Sequence, residues 1–370
     1  MAKKIKKTDI ENIISLSPLQ EGILFHYLLD VKSEVYCEQL TINISMKINY
    51  DIFVKSWEMV VRDNSTLRTI FRWEDIKNPI QIILKNYKSN IELHDCTTNI
   101  LEKNRIKEND HLKRFDLEKI PFRVLLCKLS EENHEIIISF HHILLDGWST
   151  GIIIKEFFEN YNLLSNNQEI PVRQKAQYEQ YIEHLQRLDN KRTLEFWQEY
   201  LQDLETCRLS NISFNESPQK NICDYDKEHF AYDRLGLDSI LKKYGISKAT
   251  IIYGTWALLL SRYTNSTEVC FGTTISGRNI EIDNIENTAG LFINTLPLFS
   301  KADPSIKLID FLKNVQNDLS NREEFENISL SDIISVTKNK TSSIFDTIVV
   351  IENYPIGKEL NSSSKFIVNS

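Results

Sequence analysis

Glu135-Ile136-Ile137-Ile138-Ser139-Phe140-His141-His142-Ile143-Leu144-Leu145-Asp146-Gly147-Trp148-Ser149 is the stretch around which the chain is organised. Its β-branched start holds neither Gly nor Pro and reads as a buried strand, ending at two adjacent histidines ahead of an Asp-Gly turn signal. Successive strand side chains point to opposite faces, so His141 and His142 cannot enter the same cavity. One is expected to be structural and the other to meet a ligand. A zinc site calls for three or four protein ligands, and no Cys-x-x-Cys, His-x-x-x-His or third clustered ligand accompanies the pair. A nucleophile triad lacks support too: there is no Gly-x-Ser-x-Gly elbow and no Cys in a catalytic context. What remains is a histidine acting alone, as base or positioning group, with Asp146 fixing the loop.

Upstream, Phe122 to Leu129 and His134 to Phe140 read as a hairpin around Ser130-Glu131-Glu132-Asn133, which puts the histidines at the end of a central sheet. Downstream, Ser149 or Asp146 can cap a helix through about Leu163 that packs Ile152, Ile153, Phe157 and Tyr161 on that sheet. Earlier in the chain, Ser17, Pro18 and Gln20 make a capping box at the start of a helix on which Leu19, Ile23, Tyr27 and Asp30 share a face. His26 beside them reads as a packing or hydrogen-bonding residue. Thr8 to Glu11 reads as a second capping box, starting a short helix through Ile14. A strand (Leu40 to Ile48), a helix (Tyr50 to Asp63), two strands (Leu67 to Trp73, Ile80 to Leu84) and a helix (Ile100 to Lys113) complete the first half.

Beyond the histidines, Lys175 to Leu201 reads as a long helix or a pair of helices, and the Asn-, Ser- and Pro-containing Glu205 to Asp226 as a linker. Then follow a nearly all-apolar helix (Thr250 to Tyr263), a strand (Val269 to Ile275), a loop (Ser276 to Asn279), a strand (Gly290 to Phe299), a helix (Ser305 to Leu319), a strand (Phe345 to Glu352) and a Ser/Asn-rich tail. The expected organisation is a segment over 1–15, an N-terminal lobe over 16–204, a linker over 205–226 and a C-terminal lobe over 227–370. With 370 residues the chain exceeds the size at which a single core stops growing. Apolar residues make up 41% of it, with 10 Gly and 8 Pro, which excludes disorder and collagen-like repeats and indicates a globular α/β or α+β protein. A net charge of −8 argues against nucleic acid as the main partner. No apolar run follows the basic start of Lys3, Lys4, Lys6 and Lys7, so neither a signal peptide nor a membrane span is expected. Six scattered cysteines without pairing motifs fit a reduced, cytoplasmic protein.

The motif His141-His142-Ile143-Leu144-Leu145-Asp146-Gly147 resembles the signature of the condensation domains of nonribosomal peptide synthetases: two histidines, three variable residues, then Asp-Gly. Other stretches agree in order. Leu16 to His26 resembles the family's opening motif and Leu67 to Phe71 its second. Tyr178-Glu179-Gln180-Tyr181 stands at the fourth, with Gln180 where Asp is usual. Ser276-Gly277-Arg278 and Gly290 to Pro297 match the second half, and Phe345-Asp346 and Glu352-Asn353-Tyr354-Pro355 a late motif. Asp63-Asn64 stands where the family shows Arg-His, and Glu326 to Leu330 lacks the usual His and Pro. Members continue past the Tyr-Pro motif, so an incomplete second lobe is expected.

The resemblance implies a two-lobed chloramphenicol-acetyltransferase-like pseudodimer with a tunnel between the lobes. Upstream and downstream carrier proteins would bring thioesters on phosphopantetheine arms, and the acceptor amine would attack the donor thioester to form a peptide bond. No cofactor would be bound directly. An adenylation domain is the implied neighbour. The resemblance makes His142 the catalytic residue, and His141, Asp146, Gly147 and Arg278 the structural frame, with Arg278 the partner of Asp146. Trp148, Ser149, Asn294, Gln20 and Arg68 are motif or tunnel residues, Trp148 being read as core. The spelling of Gln20 to His26 and of Leu144-Leu145-Asp146 resembles the subgroup that accepts donors ending in a D-residue. The basic start is expected to dock an upstream synthetase subunit. Competing readings are an epimerisation domain of the same fold, which usually has Val-Ser-Trp after Asp-Gly where this chain has Trp148-Ser149-Thr150; a silent carrier-protein docking domain; and a stand-alone acyltransferase. A cyclisation domain would replace the histidines with aspartates.

Overall fold

A computed structural model describes residues 5–30, 35–85, 87, 90–204, 209, 234–338, 343–352 and 366–369. In chain order its elements are β1 (Ile10–Ser15), α1 (Pro18–Leu29), β2 (Cys37–Ser45), α2 (Tyr50–Asp63), β3 (Thr69–Arg72), β4 (Ile80–Leu84), β5 (Ile91–Asp95), α3 (Glu102–His111), β6 (Phe122–Lys128) and β7 (Asn133–His141). Then come α4 (Gly147–Ser165), α5 (Tyr178–Arg187), α6 (Asn190–Tyr200), α7 (Arg234–Tyr244), α8 (Lys248–Thr264), β8 (Glu268–Ile275), β9 (Asn294–Lys301), α9 (Leu308–Arg322), α10 (Leu330–Val336), β10 (Ile348–Val349) and β11 (Phe366–Asn369).

β7 lies third in a five-stranded sheet ordered β11-β2-β7-β6-β5 and pairs antiparallel with both neighbours. Its run Ile136-Ile137-Ile138 has a physical reason, since both faces of the strand are covered. Ile136, Ile138 and Phe140 join the main core with residues of α2 and α4, whereas Ile137 packs with Cys96, Leu125 and Cys127 on the other side. Asn49 caps α2 through the Ile52 N–H, and the helix buries Phe53, Trp57, Val60 and Val61 at helical spacing. Trp57 stacks on Phe157 of α4 with ring centroids 4.6 Å apart. Each such side chain removed from water contributes about 1.5–3 kcal/mol, and together they press α4, which starts at the histidine loop, onto the sheet.

Packing divides the chain into two units: Met1–Leu188, Ser276–Ile293 and Asn353–Ser370 form the first, and Asp189–Ile275 with Asn294–Glu352 the second. This differs from the expected boundary in three places, one of them the end of the expected C-terminal lobe, where β11 belongs to the first unit through its antiparallel pairing with β2. α6 goes with the second unit because Trp197 is buried there among Cys270, Leu296 and Ile333. Ser276–Ile293 goes with the first because its backbone and Arg278 bond to the start of α4. The expected linker lies, but for residue 209, outside the described residues, as do Asn353-Tyr354-Pro355 of the late motif.

Other expectations are corrected. The short helix over 8–14 is a 3-10 turn followed by β1, because β4 offers that segment a ladder; the Thr8 hydroxyl bonds Asp9 and caps nothing. The strand expected from Gly290 begins only at Asn294, since Gly290 and Phe292 are drawn off to the histidine loop. Of the strand over 345–352 only Ile348–Val349 forms. Over 175–201 the second of the two expected forms, a pair of helices, is the one present: α5 and α6, broken at Leu188, with Asp189 capping the second. β5, α7, α10 and β11 have no counterpart in the sequence reading, which gave the last of these only as tail. No helix among the described residues is long and apolar enough to cross a membrane.

Candidate active site

His141 and His142 leave β7 in opposite circumstances. His141 is 1% exposed; its Nδ1 accepts the Ile143 N–H at 3.2 Å, and its ring lies edge-on to Tyr27. Burial pulls its pKa down to about 3, with repulsion from His142 and Arg114 adding to the effect. An acceptor at Nδ1 leaves the proton of this neutral ring on Nε2. His142 is half-buried; its backbone N–H donates to the Tyr36 carbonyl at 2.7 Å, and its buried Nδ1 has no hydrogen-bond partner among the described residues.

Four residues on, Asp146 caps α4. One carboxylate oxygen accepts the Ser149 N–H at 2.8 Å and the other the Phe292 N–H at 3.0 Å. Arg278 reaches the first oxygen at 3.5 Å, with the Asp146 side chain 0% and that of Arg278 7% exposed. The Ser149 hydroxyl joins the two: it donates to the Gly290 carbonyl at 2.6 Å and accepts from the Gly290 N–H at 3.0 Å and from Arg278 at 2.8 Å. Arg278 also donates to the carbonyls of Ile285 and Thr288 and lies 3.9 Å over the Phe292 ring. Burial lowers its pKa and Asp146 opposes the shift; it is the cation of the pair. A buried carboxylate is tolerable here because backbone donors and a guanidinium share it.

Glycine geometry completes this frame. Gly277 adopts φ +64°, and a Cβ there would lie 1.9 Å from the Phe292 carbonyl oxygen. A Cβ on Gly290 would lie 2.2 Å from the Tyr178 ring, whose hydroxyl donates to the Leu291 carbonyl. Gly147, placed by the resemblance in the structural frame, opens α4 and does not have positive φ.

The remaining motif residues hold backbone. Gln20, 1% exposed, accepts the Ser17 N–H and donates to the Ile143 carbonyl at 2.9 Å, tying α1 to the turn after the histidines. Gln81 exchanges hydrogen bonds with it. Arg68 donates to the carbonyls of Val61 and Leu84 and pairs with Glu11. In the second unit, Asn294 donates to the carbonyls of Glu326 and Ile328. Trp148 is not core: it is half-buried, with its indole N–H on the Glu286 carbonyl. Gln180 accepts the Gln177 N–H in a capping box for α5.

The family model described as Condensation domain matches residues 10–369. The chain belongs to the condensation-domain family. It is 31% identical over 98% of its length to surfactin synthase subunit 3 of Bacillus subtilis (strain 168), covering 29% of that protein. To gramicidin S synthase 2 of Brevibacillus brevis it is 31% identical over 97% of its length, covering 8%. It thus spans under a third of these relatives. Among solved structures, the first condensation domain of the calcium-dependent antibiotic synthetase, in complex with substrate analogue 2a, matches with TM-score 0.71 and 15% identity over 97% of this chain and 85% of its own. The starter condensation domain of rhizomide synthetase RzmA matches with TM-score 0.74 and 18% identity over 91% of this chain and 78% of its own. The fold is therefore the chloramphenicol-acetyltransferase-like fold of condensation domains.

Within this condensation domain, the histidine loop is held by residues that the motif alone does not name. Tyr36, Gln81 and the backbone N–H of Phe292 all bear on it, and only the last sits in a stretch with a readable signal, the Gly290 to Pro297 motif. Among the described residues no group of three His, Cys, Asp or Glu side chains is arranged to hold a metal ion.

Proposed function

We propose that this condensation domain forms a peptide bond between a donor peptidyl or aminoacyl thioester and the amine of an acceptor aminoacyl thioester, each on the phosphopantetheine arm of a carrier protein, with His142 as the catalytic residue. The acceptor nitrogen attacks the donor carbonyl carbon, the C–N bond forms, the C–S bond breaks, and the departing thiolate takes the proton that nitrogen loses. His142 holds that proton in transit or orients the amine. An α-amino group titrates near ~7.7–8.0, so an appreciable minority is already nucleophilic at neutral pH, and holding it against the thioester supplies much of the acceleration. The observation that supports the reading best is the unlike fate of the two histidines. His141 is enclosed with Nδ1 occupied, while His142 is half-buried with Nδ1 unengaged. Asp146, Ser149 and Arg278 serve as frame.

The proposal includes an adjacent adenylation domain, a cytoplasmic setting, and docking of an upstream subunit on the basic residues ahead of β1. His142→Ala in the full synthetase is expected to cut carrier-bound dipeptide, read by mass spectrometry, at least ~100-fold, with an unchanged circular dichroism spectrum. Near-parental product from a folded variant would sink the assignment.

A further inference from the structure

Among the described residues, the non-glycine positions with positive φ are Asp75, Asn167, Asn265, Asn284 and Tyr36. The first four are Asp or Asn, whose short polar side chains tolerate that region. Tyr36, at φ +73°, is the exception, and a bulky residue stays there only when its surroundings hold it. Here they hold it at both ends. Its hydroxyl is 3.0 Å from His26 Nδ1 on α1, and its ring centroid lies 6.2 Å from that of His141. Its carbonyl, turned by the unusual φ, accepts the backbone N–H of His142 at 2.7 Å. The next residue, Cys37, is the register partner of His141. The strained residue therefore touches the first histidine with its ring and the second with its backbone.

We propose that Tyr36 is a positioning residue for His142: its clamped left-handed backbone presents the carbonyl that sets where β7 releases the second histidine, and the His26 hydrogen bond locks the clamp. This rests on the reading of His142 as the catalytic residue. The Tyr36 carbonyl meets no substrate; it acts through the main chain of His142, so its loss is a loss of aim rather than of chemistry. A cavity of about 290 Å³ lined by His26, Tyr27, Leu29, Asp30, Val35 and Tyr36 lies beside the ring. Removing the ring thus widens an existing space and also removes a half-buried contact with the main core.

Tyr36→Gly and Tyr36→Phe are compared in the full chain, with His142→Ala as reference. Glycine frees φ and abolishes the clamp; phenylalanine keeps the ring and loses only the hydroxyl. Expected for Tyr36→Gly are a kcat about tenfold lower with KM within twofold, shifted His142 ring signals in histidine-labelled NMR spectra, and a folded protein whose melting temperature falls by a few degrees at most. Tyr36→Phe, which loses the His26 bond and keeps the ring, is expected to lie between the parent and Tyr36→Gly in both kcat and His142 ring signals. Parental kcat with unmoved His142 signals in Tyr36→Gly, or a raised KM at parental kcat, overturns the proposal. If His142→Ala stays active, the catalytic reading falls and the ring signals alone judge Tyr36. If Tyr36→Gly does not fold, Tyr36→Asn, which tolerates the left-handed region without the ring, takes its place under the same criteria.

Discussion

At His141 the strand delivers an imidazole to a place with no room for charge. Folded, the ring binds a proton only near pH 3, against about 6.5 for an ordinary histidine. Between those values the unfolded chain holds a proton that the folded chain refuses, so this contribution is complete above the higher value and is lost as pH falls toward the lower. The loss should reach about 2 kcal/mol at pH 5. Urea midpoints of the parent and of His141→Asn at pH 7, 6 and 5 check it: the parent should lose more stability than the variant, and parallel loss would contradict the assignment. Unlike roles for the two histidines are legible in the sequence because alternation along a strand is a matter of geometry. The Asp146–Arg278 pairing is legible only through the family resemblance, since 132 residues separate the two. Tyr36 is not legible at all, because nothing in a tyrosine announces a positive φ.

The elements show where local signals decide and where they are outbid. Ser17 and Gln20 form the capping box that their spacing announces, with two mutual hydrogen bonds that persist beside the bonds Gln20 exchanges with Gln81. Thr8 and Glu11 carry the same spelling and make none, because β4 pairs with the segment and Arg68 takes Glu11. Long-range partners of this kind are invisible to a local pattern. The loop that ends β8 is held by Gly277, which combines a left-handed φ with backbone contact and seats Arg278 next in the chain. Gly277→Ala should cost about 1–3 kcal/mol through that conformation and more through the clash with the Phe292 carbonyl. Thermal melts are expected to fall by several degrees, whereas Gly22→Ala, where a Cβ meets nothing within 4 Å, should leave the melt nearly unchanged. Equal melts for the two variants would refute this account of the loop.

On the scale of the molecule, the two-unit character is legible from length and from the rhythm of strands and helices, but the assignment of Ser276–Ile293 to the first unit is not. It depends on partners more than a hundred positions away. Donor selectivity belongs to this scale as well. The spelling of Gln20 to His26 and of Leu144-Leu145-Asp146 motivates the expectation that donors ending in a D-residue are turned over at least tenfold faster than their L-ended epimers, a difference of ~1.4 kcal/mol in transition-state binding. Offering both donors to the full synthetase with one fixed acceptor decides it, and faster turnover of the L-ended donor refutes it. The Asp146 frame carries a last consequence, for the order of synthesis. His141 to Gly147 leave the ribosome before Phe292, whose N–H donates to the Asp146 carboxylate and which follows Asp146 by 146 residues, with Asp189–Ile275 of the second unit made in between. A chain released before Phe292 carries the complete signature but lacks one of the donors that hold its Asp146, so the frame closes only after the later segment has been made.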